Sequence, residues 1–178
     1  MKTYTYGAAL AAIGLFALTG TAFAQVAEEG GDFEVTLVVE NSCIVESIDT
    51  LDFGTIGDLD ANIDATADIS VTCTGATPFQ IGLSNGEHYT GDSRAMEIAD
   101  GDDVVEYALY SDPGRNTAWG NQLGSDTNGG NGTTDLTIYG RVPALPEGTP
   151  LVVGSYSDTV VATLWYGSGI PEEDEGEG

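Results

Sequence analysis

The chain has 178 residues, enough for one domain of ordinary size, and its 29 Asp and Glu residues against 4 Lys and Arg residues give a formal net charge of −25. Because phosphate backbones and anionic lipid headgroups repel such a chain, the charge argues against binding to nucleic acid or to membrane surfaces. The 25 glycines and 41% hydrophobic residues favour a loop-rich β protein, and one His with two Cys leaves little material for catalysis.

Residues 1–24 have the pattern of a secretory signal peptide. Lys2 supplies the positive start, residues 8–18 are an apolar run, and Ala22-Phe23-Ala24 is a small-x-small cleavage site. The apolar run is too short to span a bilayer stably. We therefore expect a mature chain that is exported from the cytoplasm and does not insert into a membrane.

Residues 33–39 predict the first strand, after a polar lead-in at residues 25–32. Apolar side chains alternate strictly with Glu34, Thr36 and Val38, and such alternation is typical of a half-buried strand. The apolar face consists of Phe33, Val35, Leu37 and Val39.

Further short strands follow along the chain. Asn85-Gly86, Asp112-Pro113-Gly114 and the glycine-rich residues 124–132 predict turns or loops between them. No stretch keeps an apolar period of 3.6 residues for long enough to predict a sizeable helix, so the pattern favours a sandwich or a closed antiparallel sheet. The predicted strands are residues 43–48, 69–73, 79–84, 104–110, 135–142 and 158–166.

Cys43 and Cys73 are the two cysteines of the chain. Because an exported chain reaches an oxidising compartment, we expect them to form a disulfide, with two free buried thiols as the alternative. Two cysteines and one histidine are too few ligands to predict a zinc site.

Acidic residues suggest calcium only weakly. Asp58, Asp60 and Asn62 have the spacing of the first EF-hand ligands, but Ile63 and Ile69 stand where that loop needs Gly and a bidentate Glu. Residues 100–103 read as a solvated acidic loop, with a surface calcium site as the alternative. We expect no metal ion and no cofactor.

His88 lies in a turn-like setting, and no nucleophile signature accompanies it. We expect it to be a surface loop residue. A small secreted hydrolase is the enzyme-class alternative, but without a second histidine or a metal cluster the sequence predicts no enzyme.

An ordered set of segments resembles the spore coat protein U domain family, which includes the subunits of archaic chaperone–usher pili. The resemblance extends over nearly the whole chain after the signal peptide. The segments are residues 33–43, 51–54, 69–73, 79–86, 107–112, 119–120, 138–143 and 154–160.

The resemblance implies an all-β fold, an incomplete immunoglobulin-like β-sandwich completed by a donor strand from a neighbouring subunit. It implies a head-to-tail polymer of identical subunits, with a periplasmic chaperone, an outer-membrane usher and a tip adhesin as further partners. The product would be an extracellular pilus for surface attachment and biofilm formation. On this reading residues 25–42 are the donor-strand segment and linker, residues 43–166 the sandwich, and residues 167–178 an acidic disordered tail.

The residues agree with strand donation. The last predicted strand is followed only by a charged tail, so its edge has no partner strand, and the strand at residues 33–39 has no obvious partner either. If residues 33–39 of one copy paired with that edge in the next copy, both strands would have a partner. An ordinary first strand packed in its own domain is the alternative for residues 33–39. The acceptor-groove face of the last strand is expected to be Val160, Ala162, Leu164 and Tyr166, although the opposite phase (Val161, Thr163, Trp165) is also amphipathic.

The sequence therefore predicts a structural pilin, the main repeating subunit of the fibre. A tip adhesin would normally add a second, receptor-binding domain. The alternative is a minor or tip-proximal adhesive subunit that binds a surface ligand through loops such as residues 124–132.

Overall fold

The computed structural model describes residues 30, 32–91 and 93–170. The predicted signal peptide and most of the acidic tail lie outside these residues. The chain divides into two compact units, Met1–Leu37 and Val38–Gly178, and the second contains all the strands of the described residues. No helix within the described residues has the length and apolar character needed to cross a membrane.

Ten antiparallel strands of the described residues form two sheets. They are β1 (Cys43–Ile48), β2 (Ile63–Cys73), β3 (Pro78–Leu83), β4 (Tyr89–Thr90), β5 (Ser93–Ile98), β6 (Val104–Tyr110), β7 (Asn128–Asn131), β8 (Thr134–Val142), β9 (Tyr156–Ser157) and β10 (Ala162–Tyr166). The first sheet has the order β1-β2-β8-β6-β5-β4, with β9 also paired to β5. The second sheet has the order β10-β3-β7.

This strand order is that of an immunoglobulin-like sandwich. In that fold strands A, B, E and D form one sheet, and strands C, F and G form the other. Here β1-β2-β8-β6 correspond to A, B, E and D, and β3 and β10 correspond to C and F. Strand G has no counterpart among the described residues. The predicted fold class, an incomplete immunoglobulin-like β-sandwich, is confirmed.

The core lies between the inward faces of both sheets. Trp119 is fully buried there, and its indole N–H donates a hydrogen bond to the Ile81 carbonyl at 2.7 Å. Period-two alternation directs the other core side chains inward from their strands. They include Ile69, Val71, Phe79, Leu83, Leu109, Leu136 and Ile138.

Several predicted strands match and others are corrected. The predictions for β1 and β6 have the observed bounds, whereas β2 begins six residues before the predicted start, at Ile63. The last strand begins at Ala162 because residues 158–161 cross from the first sheet, where β9 pairs with β5, to the second, where β10 pairs with β3. The strand β5 was not predicted.

Residues 124–132, predicted to be a loop, contain β7. Glycine is usually a turn signal, but Gly129 lies where an added Cβ would meet the Phe79 backbone of β3. The close approach of the two strands therefore requires glycine in a strand.

The predicted strand at residues 33–39 does not form in the single chain. Phe33, Val35 and Leu37 are 82–87% exposed, Val39 is 70% exposed, and no described residue from 32 to 42 belongs to a strand. Alternation indicates which side chains can share a face, but a strand also needs a partner for its backbone N–H and C=O groups.

The predicted disulfide is confirmed. Cys43 and Cys73 are directly opposite each other on β1 and β2, and the bridge closes a loop with a sequence separation of 30 residues. It fixes the first strand of the sandwich to its neighbour.

We expect Cys43→Ala/Cys73→Ala to lower the free energy of unfolding by about 3–4 kcal/mol, because the unfolded chain regains the entropy of the open loop. Urea unfolding followed by tryptophan fluorescence measures the loss. Reductant should lower the midpoint of the unaltered chain but not that of the variant. Equal midpoints for the two chains under oxidising conditions would contradict the expectation.

Candidate functional site: an open groove beside the last strand

An open groove of about 480 Å³ lies between the two sheets. One rim consists of residues 48–53, which end and follow β1. The other consists of residues 156–160, which precede β10, and Ala162, its first residue. Five side chains from β3, β5, β6 and β8 line it between the rims. They are Leu83, Met96, Tyr107, Leu109 and Ile138.

The groove lies beside an unpaired strand edge. β10 is the outer strand of its sheet, so among the described residues only β3 pairs with it. Strand G of a complete immunoglobulin fold would pair with this edge. An apolar floor next to free backbone N–H and C=O groups is a surface that can accept an extended peptide.

The predicted acceptor residues occupy different places. Val160, Ala162 and Leu164 are partly buried and pack against the core, and the first two line the groove. Tyr166, at the end of β10, is 46% exposed and does not line it. In the opposite phase Val161 is 59% exposed.

The predicted donor residues Phe33, Val35, Leu37 and Val39 are all exposed. Val38, on the opposite face of that segment, is 81% exposed as well. Exposure therefore does not distinguish the two faces of residues 33–39.

A buried carboxylate at one end of the groove was not predicted from the sequence. The Asp158 side chain is 2% exposed. Its Oδ1 accepts hydrogen bonds from the backbone N–H groups of Glu87, His88 and Thr159 at 2.9–3.0 Å, and its Oδ2 accepts one from the Tyr107 hydroxyl at 2.6 Å. The sequence signal for this carboxylate was the position of Asp158 immediately before the alternating apolar residues of the last predicted strand.

These contacts shift the pKa values of Asp158 and Tyr107. Burial alone would raise the pKa of Asp158, but the hydrogen bonds from Tyr107, His88, Thr159 and Glu87 outweigh it and place this pKa below its ordinary value. The pKa of Tyr107 is raised, chiefly by burial and also by its hydrogen bond to Asp158. Asp158 is therefore ionised and Tyr107 is a neutral donor at neutral pH.

Arg94 is a second buried polar group at this end. Its guanidinium donates to the carbonyl oxygens of Leu83, Ser84 and Trp119 at 2.7–2.9 Å, and burial lowers its pKa. The contact holds the end of β3 against the chain around Trp119.

His88 is half-buried rather than a free surface residue. Its Nδ1 has no hydrogen-bond partner and lies 3.4 Å from Asp158 Oδ1, and its Nε2 lies 3.5 Å from Glu97 Oε1.

Asn62, the third of the EF-hand-like residues, serves the fold. Asn62 Oδ1 accepts a hydrogen bond from the Ala144 N–H at 2.9 Å. Among the described residues, no group of three or more His, Cys, Asp or Glu side chains is placed to hold a metal ion.

Acid should destabilise this end of the groove. Because the pKa of Asp158 is lower in the folded chain than in the unfolded chain, its stabilisation is complete above the unfolded pKa of about 3.9 and is lost as pH falls through the folded pKa. We expect Asp158→Asn to lower the free energy of unfolding at pH 7 by about 1–3 kcal/mol, since buried donors lose a charged acceptor.

The same variant should show a flatter dependence of stability on pH between about pH 5 and pH 2. Urea unfolding at stepped pH measures both effects, and Asp102→Asn, in an exposed loop, is the control. Parallel pH profiles for Asp158→Asn and the unaltered chain would count against this role.

Comparison with known proteins identifies the family. Residues 30–163 match the family model of the Spore Coat Protein U domain. The chain belongs to the Spore Coat Protein U domain family. The resemblance noted in the sequence is thereby confirmed. This Spore Coat Protein U domain is also 33% identical to Protein U of Myxococcus xanthus over 131 residues, which are 66% of this chain and 72% of Protein U.

Two solved structures are more distant. The complex of the chaperone CsuC with the tip adhesion subunit CsuE, from archaic chaperone–usher Csu pili of Acinetobacter baumannii, is similar over 71% of this chain and 40% of that chain, at 16% identity and a TM-score of 0.48. The P pilus rod subunit PapA is similar over 70% of this chain and 99% of that chain, at 16% identity and a TM-score of 0.49. At this distance neither likeness bears on function.

Proposed function

We propose that this protein is a structural subunit of an extracellular chaperone–usher pilus and that it polymerises by donor-strand complementation. Residues 33–39 of one copy would enter the groove of the next copy and supply strand G. The observation that carries the proposal is the coexistence, in one chain, of an apolar groove beside an unpaired β10 and an exposed amphipathic segment.

Strand direction supports donation to another copy. Cys43 pairs with Cys73, and β3 begins soon afterwards at Pro78, whose carbonyl accepts a hydrogen bond from the Gly167 N–H after β10. The start of β1 and the end of β10 therefore lie at the same end of the sandwich. If residues 33–39 folded back along β1, they would run parallel to β10, whereas strand G runs antiparallel to strand F.

Asn41 and Ser42, which link residues 33–39 to β1, are also held in place. The Thr74 N–H donates to the Ser42 carbonyl at 2.8 Å, and Thr77 Oγ1 lies 3.2 Å from Asn41 Oδ1. These contacts extend the β1–β2 pairing by one residue beyond the disulfide and limit any reversal of the chain before Cys43.

The expected energies are sufficient for assembly. Burial of Phe33, Val35, Leu37 and Val39 stabilises by about 1.5–3 kcal/mol for each side chain, as an upper estimate. Each new backbone hydrogen bond adds about 0.5–1.5 kcal/mol net. The loss of translational and rotational freedom on association opposes these terms.

The open groove also implies partners that assemble the subunit. An open groove with an unpaired edge strand would pair indiscriminately, so a periplasmic chaperone would need to cover it until an outer-membrane usher adds the subunit to the fibre. We propose the main repeating subunit, because a repeating subunit needs both a donor segment and an acceptor groove. A tip adhesin needs only the groove and would end the fibre.

Deletion of residues 25–39 tests the proposal. We expect the deletion to abolish fibres in negative-stain micrographs and an added peptide of residues 33–39 to bind the shortened chain with a 1:1 stoichiometry. A peptide in which Leu37 is replaced by Asp is the control and should not bind. Persistent fibres after the deletion would overturn donor-strand exchange.

A surface coat is a second candidate, which the description of the family favours. The same strand exchange could build a layer instead of a separate fibre. Immunogold labelling of cells that express the chain distinguishes a continuous layer from thin fibres.

A further inference from the structure

The segment that carries the chain between the sheets forms part of one groove rim. β9 ends at Ser157, which pairs with Glu97 of the first sheet, and β10 begins at Ala162, which pairs with Leu83 of the second. Residues 158–161, here called the crossing segment, belong to no strand. Their position therefore depends on hydrogen bonds outside the strand pairing.

Two polar side chains hold the crossing segment. At its start, the buried Asp158 carboxylate joins the backbone of Glu87 and His88 to the segment. At its end, the Ser84 N–H donates to the Val161 carbonyl and the Val161 N–H donates to Ser84 Oγ, both at 2.9 Å.

Tyr107 connects the two rims. Its hydroxyl donates to Asp158 Oδ2 at 2.6 Å on one side. Its ring lies 6.3 Å from the Phe53 ring, at an interplanar angle of 60°, on the other side. One buried residue of the floor thus contacts both rims.

We propose that Tyr107 and Asp158 are positioning residues that set the separation of the two groove rims before the donor segment arrives. The inference rests on the proposed function and adds the residues that control the acceptor. A groove already held at the right width loses less conformational entropy on binding, so insertion of the donor segment is faster and tighter.

Tyr107→Phe is the direct test, because it removes the hydroxyl and keeps the ring against Phe53. The full mature chain, with its disulfide intact, is unfolded and returned to native buffer. Tryptophan fluorescence follows folding, and light scattering follows polymer growth. We expect assembly to become about tenfold slower or more, as for the loss of a hydrogen bond to a charged group.

A control matched for stability separates positioning from general destabilisation. Ile69→Val truncates a fully buried side chain that does not line the groove. We expect its assembly rate to stay within about twofold of the unaltered chain after both variants are compared at equal folded fraction. Equal slowing of Tyr107→Phe and Ile69→Val would overturn the positioning role.

The Asp158→Asn variant tests whether the two residues act together. We expect Tyr107→Phe to slow assembly much less in the Asp158→Asn chain than in the unaltered chain, since the partner is already altered. Independent, multiplicative effects would contradict the coupling.

A measurement without assembly distinguishes the two proposals. In the Leu37→Asp chain, we expect Tyr107→Phe to speed hydrogen exchange at the Glu87 and His88 amides at least tenfold, because the carboxylate that binds them loses its anchor. Unchanged exchange overturns the positioning role alone. Failure of the unaltered chain to assemble, with faster exchange in the variant, overturns the proposed function and leaves the role of the two residues in the groove supported.

Discussion

Leu37→Asp is expected to abolish polymer formation, whereas Val38→Asp leaves it intact. In the proposed fibre Leu37 is buried in the groove of the next copy, where an unpaired carboxylate costs several kcal/mol, in addition to about 1.5–3 kcal/mol of lost apolar burial. Val38 belongs to the opposite face of the segment and would point away from the groove. Negative-stain microscopy and sedimentation velocity measure the fibres.

The two variants form a matched pair. The residues are neighbours, and both are more than 80% exposed in the single chain, so neither change should alter unfolding of the monomer. Fibres formed by Leu37→Asp would refute the assigned face. Equal loss of fibres in both variants would indicate that added charge, and not its position, controls assembly.

Transfer of the donor segment to the other terminus is expected to give a stable monomer. If residues 33–39 are removed from the N-terminus and attached after Ser168 through a short Asn-Gly turn, the segment can run back antiparallel to β10. Four buried side chains then raise the free energy of unfolding by at most about 6–12 kcal/mol, without the entropy cost of association. Urea unfolding and sedimentation velocity measure stability and mass.

The transferred segment carrying Leu37→Asp is the matched control. It preserves chain length and connectivity but removes one apolar contact and introduces a charge. We expect it to lose most of the added stability. A transferred segment that gives no increase in the midpoint, or the same increase with and without Leu37→Asp, would show that the groove does not accept this face.

The sequence predicted those elements that depend on residues close together in the chain. The strands predicted at residues 43–48 and 104–110 have the observed bounds of β1 and β6, because the turn residues that end a strand lie next to it in the sequence. The disulfide could be predicted because the chain has two cysteines and a predicted export signal. The apolar face of residues 33–39 was likewise readable, although whether the segment forms a strand was not.

The remaining elements depend on partners distant in sequence. β7 is a strand because glycine allows close approach to β3, and the crossing segment leaves the first sheet because β9 and β10 have different neighbours. Tyr107 and Asp158 meet across 51 positions of sequence, so no local pattern joins them. The sequence by itself predicted the faces of the strands and the disulfide, and also an export signal that lies outside the described residues. Only the tertiary structure decided which edge is open and which polar groups hold its rim, because hydrogen-bond partners and burial arise from long-range packing.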